Sequence, residues 1–351
     1  MLQYIAIYWT ALKACLLSKE KIRTLSLYPE YPKKQTFKIR RELFRLFLQN
    51  KTLNYVPEDI IQSYFNMGLD RKGEQVRSYV FKAELDPARN RKLNPLTRGM
   101  LMNKWMVAKY LEACGLTTSH PLFVLTPFVD VEDAIEKIQS SESSCFFAKP
   151  VGGTGGLGAF SFSKNGETYS IENASITKEQ LIEKLSNYIV EPYIIQHPAM
   201  AKLYPDSVNS IRLVTVCRKN SIRVILRNMY VGAGKARVSN LHHGGLQLSI
   251  NKDGELGEYG ICTQGNRGRY THHPDTGVKF KGYKIPYWKE VKEIAIRAHQ
   301  CFPEIYAIGW DMAISEKGPL IIEANRKWGT YHFQYTDGPG RKRMRKYFNI
   351  K

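Results

Sequence analysis

The chain has 351 residues, 43% hydrophobic and 12% aromatic, with 26 Gly and 16 Pro spread along it. That balance excludes a minimal single domain, a disordered chain and a low-complexity polymer, and fits two or three lobes around a shared cleft. The formal charge of +20 draws anions such as nucleotides, phosphorylated sugars, nucleic acid or an anionic membrane face without choosing among them, and solvated surface accounts for it equally well. The six cysteines (Cys15, Cys114, Cys145, Cys217, Cys262, Cys301) show no C-x-x-C pair and no His/Cys ligand spacing. This argues against a zinc site or a disulfide framework and fits a reducing cytoplasm.

Met1 to Leu17 is apolar before the sequence turns basic. It lacks a basic n-region, contains Lys13, offers no clear cleavage site and falls short of the roughly 20 apolar residues of a membrane span. A helix docked on the core is the default; an interfacial helix, with peripheral association at the cytoplasmic membrane face, is the alternative. Residues 1–95 read as mostly helical, for example over Phe37 to Leu48 and Glu58 to Phe65. From Leu101 a helix carries Met102, Trp105, Met106, Tyr110 and Leu111 at amphipathic spacing, stops at Gly115 and leads through Pro121 into a strand, Leu122 to Leu125. A helix, Val131 to Gln139, precedes the strand Cys145 to Pro150.

That strand runs into Val151-Gly152-Gly153-Thr154-Gly155-Gly156-Leu157-Gly158 and a second strand-like run, Ala159 to Ser163. A glycine loop between strands differs from a Walker or Rossmann turn, which opens a helix. Inside a hairpin it folds over nucleotide phosphates as a lid, its bare N–H groups approaching the oxygens, and Lys149 supplies a cation beside it. A plain Gly-rich turn reads the same residues without a ligand. Next come a helix, Lys178 to Asn187, and a strand, Tyr188 to Gln196. In the strand Ser210 to Val216, alternation puts Arg212 on a face with Val214 and Val216, where an arginine needs an anion partner. Strand Ile222 to Tyr230 gives way to a loop-rich insertion, Gly232 to Pro286, before the helix Trp288 to Cys301. The pairs His242-His243 and His272-His273 read as polar loop residues.

The most specific signal is a hairpin. Ile308 to Ile314 and Leu320 to Asn325 flank the turn Ser315-Glu316-Lys317-Gly318-Pro319. Centred on Lys317, it places Asp311 opposite Glu323, with Asn325 on the same face about 7 Å further along. Two facing carboxylates repel and need a counter-ion. An oxygen-only set of this kind suits Mg²⁺, which keeps waters and bridges to nucleotide phosphates. A surface hairpin whose acids pair with Lys or Arg is the alternative; the apolar flanks, with Trp310 and Ile322 marking the opposite face as buried, weigh against it.

This order of lysine helix, lysine strand and glycine lid, hinge with an acid, arginine strand, Asp strand and Glu-x-Asn strand resembles the ATP-grasp superfamily, specifically its sugar-transfer-associated group, over roughly Pro95 to Gly329. The resemblance implies an α+β fold, two α+β lobes clasping ATP: a lobe at 96–195 with lid and hinge, and a lobe at 196–351 with the metal-binding hairpin and a substrate-loop insertion at 232–286, after the helical region 1–95. It implies Lys104 and Lys149 as phosphate-binding lysines, and Gly152, Gly153, Thr154, Gly155 and Gly156 as the lid. The hinge receiving adenine would be Glu191, Pro192, Tyr193 and Ile194, with Glu191 reading the base edge. Arg212 would hold the γ-phosphate or acyl phosphate and act with Lys149 in catalysis. Asp311, Glu323 and Asn325 would hold Mg²⁺ or Mn²⁺, and Asn240, His242, Gly244 and Gly245 would lie near the acceptor.

The sequence departs from many ATP-grasp enzymes where Asn103 stands in place of an Asp before the first lysine, where Asn325-Arg326-Lys327 replaces the usual Asn-Pro, and where no acid after Glu191 precedes Asp206 to hold ribose. The implied activity is carboxylate–amine ligation through an acyl phosphate on an anionic, sugar-linked or amino-acid substrate of cell-surface polysaccharide or related biosynthesis. A kinase acting on a hydroxyl is the same-fold alternative. Nucleic-acid binding is the disfavoured reading, and the oligomeric state is left open.

Overall fold

The computed structural model describes residues 9, 12, 16–28, 31–49, 57–92, 99–152, 156–219, 221–234, 239, 241, 244–329 and 332–350. Two antiparallel sheets dominate. The first is six-stranded, from β1 (Phe123–Val124), β2 (Cys145–Pro150), β3 (Phe160–Asn165), β4 (Thr168–Ile171), β5 (Ala174–Ile176) and β6 (Tyr188–Pro192), in the order β1-β6-β2-β3-β4-β5. The helices Val131–Ser140 and Lys178–Leu185 bury Ile135, Ile138, Leu181 and Leu185 against its Phe146, Phe162 and Val190. Asp130 and Thr177 cap these helices, each accepting a backbone N–H of the first turn.

The second sheet has seven strands: β7 (Ser210–Arg218), β8 (Ser221–Val231), β9 (Leu246–Ile250), β10 (Leu256–Cys262), β11 (Gly268–Tyr270), β12 (Ala307–Ser315) and β13 (Gly318–Asn325), in the order β11-β10-β9-β8-β7-β12-β13. Strand alternation splits its side chains between two cores. Ile211, Leu213, Met229, Leu248, Trp310 and Met312 pack with Val291, Ala295 and Ala298 of the helix Trp288–Gln300. On the other face Val214, Val216 and Leu226 meet Leu85 and Ala88 of the helix Lys82–Asn90, and Met344 and Phe348 of the helix Arg341–Phe348. The helices Thr36–Gln49 and Pro57–Asn66 form a further core with Tyr79 and Phe81, which also takes in Ile261 of β10 and Tyr335.

Several sequence expectations need correction. The stretch 232–286 is no loop insertion: β9, β10 and β11 lie in it and extend the sheet outward from β8. The helix after Leu101 spans Lys104–Ala113 and buries Val107, Ala108 and Leu111, whereas Met102, Met106 and Tyr110 are exposed. His273 does lie in a loop but is buried rather than exposed, its Nε2 2.7 Å from the Gly232 carbonyl oxygen and its ring stacked on Tyr204. His242 and His243 lie outside the described residues.

Candidate active site

The β12–β13 hairpin is tighter than the sequence implied. Ser315 pairs with Gly318, which leaves a two-residue turn. An unbroken ladder from that turn would set Asp311 against Ile322. A bulge between Asp311 and Met312 takes up Ile322 as the extra residue and restores Asp311 opposite Glu323, with Gly309 opposite Asn325. The bulge also corrects the reading of Ile322, which lines the cleft beside Asp311 while Ile321 enters the buried face. Close approach is built in at Gly309: a Cβ there would meet the Trp328 Cβ at 2.2 Å.

Asp311 also pairs with Arg212 across β12 and β7. The guanidinium donates to both carboxylate oxygens, Nε to Oδ1 and Nη2 to Oδ2 at 2.7 Å, and the Asn325 amide donates to Oδ2 at 3.0 Å. The anion partner that Arg212 required is therefore Asp311. Burial works against the charge on Arg212, but Asp311 first, then Tyr230 and Glu323, hold its pKa above the ordinary value. Burial raises the pKa of Glu323; the Asp311 charge adds to this, while Lys104, Lys149 and Arg212 oppose it. The Lys104 Nζ stands 4.0 Å from Glu323. Asn103, the departure noted in the sequence, accepts the Met106 N–H at 3.0 Å and so caps the Lys104 helix, a task Asn performs as well as Asp.

On the six-stranded sheet, Phe147 pairs with Glu191 and Lys149 with Ile189, so Lys149 and Glu191 are diagonal neighbours on one face. The Lys149 Nζ contacts both carboxylate oxygens, at 2.9 and 2.7 Å. Ser119 donates to Oε2 at 2.6 Å, and Lys149 and Glu191 are 7% and 2% exposed. The Glu191 carboxylate is thus turned to Lys149, not presented as a free edge-reading group.

The two sheets face each other across a cavity of about 170 Å³ whose lining joins Gly156, Glu191, Pro192, Tyr193 and Ile194 with Asp311 and Ile322. Hinge, one end of the glycine loop and the carboxylate hairpin therefore meet. Gly152 is described beside the loop; Gly153, Thr154 and Gly155 lie outside the described residues, as do Asn240 and His242. Gly244 and Gly245 precede β9, and the Gly244 carbonyl accepts from Cys262 Sγ. Among the described residues no three His, Cys, Asp or Glu side chains cluster as ligands. The donor set is instead Asp311 and Glu323 in register with the Asn325 carboxamide. Two facing carboxylates, one of them penalised by burial, fit a hard divalent cation.

Four residues that the sequence did not single out belong to the site. Ser119 holds Glu191 from a segment pairing with Ile321, through the Ser119 N–H and the Thr117 carbonyl. Tyr230 places its ring 5.6 Å from the Arg212 guanidinium carbon. Ser210 and Ser239, whose hydroxyls are 3.1 Å apart, line the cavity. None of these had a local signal: unbroken register from the turn between β7 and β8 would set Met229 opposite Ser210, and the bulge between Val214 and Thr215 is what brings Tyr230 there, two residues from Arg212.

Comparison with known proteins adds the following. A family model described as sugar-transfer associated ATP-grasp matches residues 88–348. Among solved structures, the D-alanine-D-alanine ligase of Coxiella burnetii is 12% identical, with a TM-score of 0.39 over 74% of this chain and 58% of that one. The VanG D-Ala:D-Ser ligase of Enterococcus faecalis is 14% identical, with a TM-score of 0.42 over 72% and 59%. A biotin carboxylase–β-γ-ATP complex from Campylobacter jejuni is 11% identical, with a TM-score of 0.42 over 68% and 43%. The chain thus spans less than two thirds of the length of each of these proteins. No curated protein matches.

Proposed function

Since the chain belongs to the sugar-transfer-associated ATP-grasp family, we propose that it binds Mg-ATP in the cleft between its two sheets and transfers the γ-phosphoryl group to a substrate carboxylate. An amine then displaces phosphate from the acyl phosphate, which makes the protein a carboxylate–amine ligase. The substrate class is a sugar acid or amino acid of cell-surface polysaccharide or related biosynthesis. The observation that carries this reading is the grouping of Arg212, Glu323 and Asn325 around Asp311, which lines a cavity shared with the hinge and one end of the glycine loop.

Roles follow from chemistry. Asp311, Glu323 and Asn325 would hold the divalent cation, which neutralises β- and γ-phosphate charge when bound. Lys104 and Lys149 supply point charges at the phosphates, and Arg212, kept ionised by its neighbours, stabilises charge developing on the transferred group. The Glu191 carboxylate aims the Lys149 ammonium, leaving the backbone of Pro192 to Ile194 to receive the base, with the Tyr193 and Ile194 side chains beside it. The chemistry requires no side-chain nucleophile: the substrate carboxylate oxygen bonds to the γ-phosphorus as ADP leaves, and the amine nitrogen bonds to the acyl carbon as phosphate leaves.

Hydroxylamine tests the reaction type. With ATP, Mg²⁺ and a panel of amino acids and sugar acids, the productive acid should yield a hydroxamate together with ADP even without the natural amine. A stable phosphate ester formed at full rate from a sugar alcohol, with no hydroxamate, would make the protein a hydroxyl kinase instead.

A further inference from the structure

Outside the cleft, the helix Thr36–Gln49 presents an outer face of a distinctive kind. Ile39, Leu43 and Leu46 are its buried side. Its solvent side carries Phe37, 73% exposed, together with exposed Lys38, Arg41 and Arg45. At about 100° per residue, Arg41, Arg45 and Lys38 follow one another around the helix directly beside Phe37. Arg40 of the same helix donates to the Leu17 carbonyl through Nε at 3.1 Å and Nη2 at 2.7 Å, which seats Leu16, 62% exposed, close to the turn bearing Phe37. Trp9 and Leu12, earlier in the sequence, are 59% and 43% exposed. Single exposed apolar residues are ordinary, but four large ones in and beside one basic segment are not.

The same helix forms one wall of a groove of about 1370 Å³, with Lys342 and Arg345 of the helix Arg341–Phe348 lining it as well, together with Arg77. The acids of this groove are already engaged: Glu42 by Lys34 and Tyr64, Glu74 by Arg71 and Tyr79, and Glu84 by Arg341. Lys38, Arg45, Arg77, Lys342 and Arg345 therefore have no carboxylate partner among the described residues.

We propose that this face docks onto an anionic phospholipid bilayer, with Phe37 and the neighbouring apolar side chains entering the headgroup–acyl boundary and the groove cations taking lipid phosphates. A soluble polyanion would account for the cations and leave the apolar side chains facing water. Single-stranded nucleic acid would need aromatic platforms among the cations, and Phe81, the groove's aromatic residue, is 1% exposed. A neutral bilayer leaves the cations without a role. Among the described residues no helix is long and apolar enough to cross a membrane.

Vesicle co-sedimentation of the full chain, without nucleotide, tests this independently of the cleft. The protein should sediment with phosphatidylglycerol-containing vesicles at low salt, far less with pure phosphatidylcholine, and less as salt rises. Each basic residue at such a surface contributes about fivefold to partitioning, so Lys38→Glu with Arg45→Glu should weaken it at least ~25-fold. Phe37→Ala, which removes only an exposed side chain, should cost about tenfold, and Glu323→Gln should bind like the wild type. Failure of the wild type to sediment with anionic vesicles would overturn the proposal, as would unchanged partitioning in both the charge-reversed and Phe37 variants. Tight binding to heparin without vesicle binding would overturn it in favour of a soluble polyanion site.

Discussion

Glu323→Gln should lower turnover by about a thousandfold, the scale of losing several kcal/mol of charge stabilisation at the transferring phosphoryl group. The same variant should melt no lower than the wild type near neutral pH. Burial raises the Glu323 pKa, so the folded state binds this proton more tightly than the unfolded chain does. The resulting stability is fully present below the ordinary carboxylate pKa and is lost as pH rises through the raised value. A glutamine never pays that ionisation penalty. The melting temperatures of variant and wild type should therefore diverge in the variant's favour between acid and neutral pH, in metal-free buffer. Near-normal turnover would remove Glu323 from the chemistry, and a variant that melts well below the wild type at neutral pH would mean that the carboxylate is held there for structural reasons.

Lys149→Met should be the most destabilising change in the site, because it strands a 2%-exposed Glu191 with Ser119 as its remaining hydrogen-bond partner. Removing one member of a buried ion pair costs about 3–5 kcal/mol, largely the penalty of leaving the other charge uncompensated. Glu191→Gln added to Lys149→Met should recover most of that loss in urea unfolding, while nucleotide affinity stays weak because the phosphate-facing cation is still missing. If the double variant is no more stable than the single, the pair is not coupled as its geometry indicates. If the double variant binds nucleotide normally, Lys149 serves the fold rather than ATP.

What was legible in the sequence follows from the range of each interaction. The Asp311/Glu323/Asn325 patch could be read because alternation and a turn act over a dozen residues, and its pairing emerges as expected. The compensating bulge at Ile322 could not be read: a two-residue turn and a bulge together give the same site register as the longer turn, and only their separate effects on Ile322 tell them apart. β9 was missed although Leu246, Leu248 and Ile250 alternate at period two; the surrounding Gly- and His-rich sequence masked it. Glu191 lines the cleft beside Pro192, Tyr193 and Ile194, but its attachment to Lys149 and Ser119 depends on pairing across 42 and 72 residues, which no local pattern encodes. Arg212 demanded an anion on the grounds of burial alone, and the sequence contained the answer, Asp311, without linking the two strands.

The central claim is that the carboxylate hairpin presents a divalent cation to nucleotide phosphates. Calorimetric titration of a non-hydrolysable ATP analogue into wild type and Glu323→Gln, each with and without Mg²⁺, tests it most directly. The wild type should gain at least about tenfold in affinity when Mg²⁺ is added, and Glu323→Gln should lose that gain while remaining folded. Equal affinity with and without Mg²⁺ in the wild type, or an undiminished Mg²⁺ gain in the variant, would contradict the assignment.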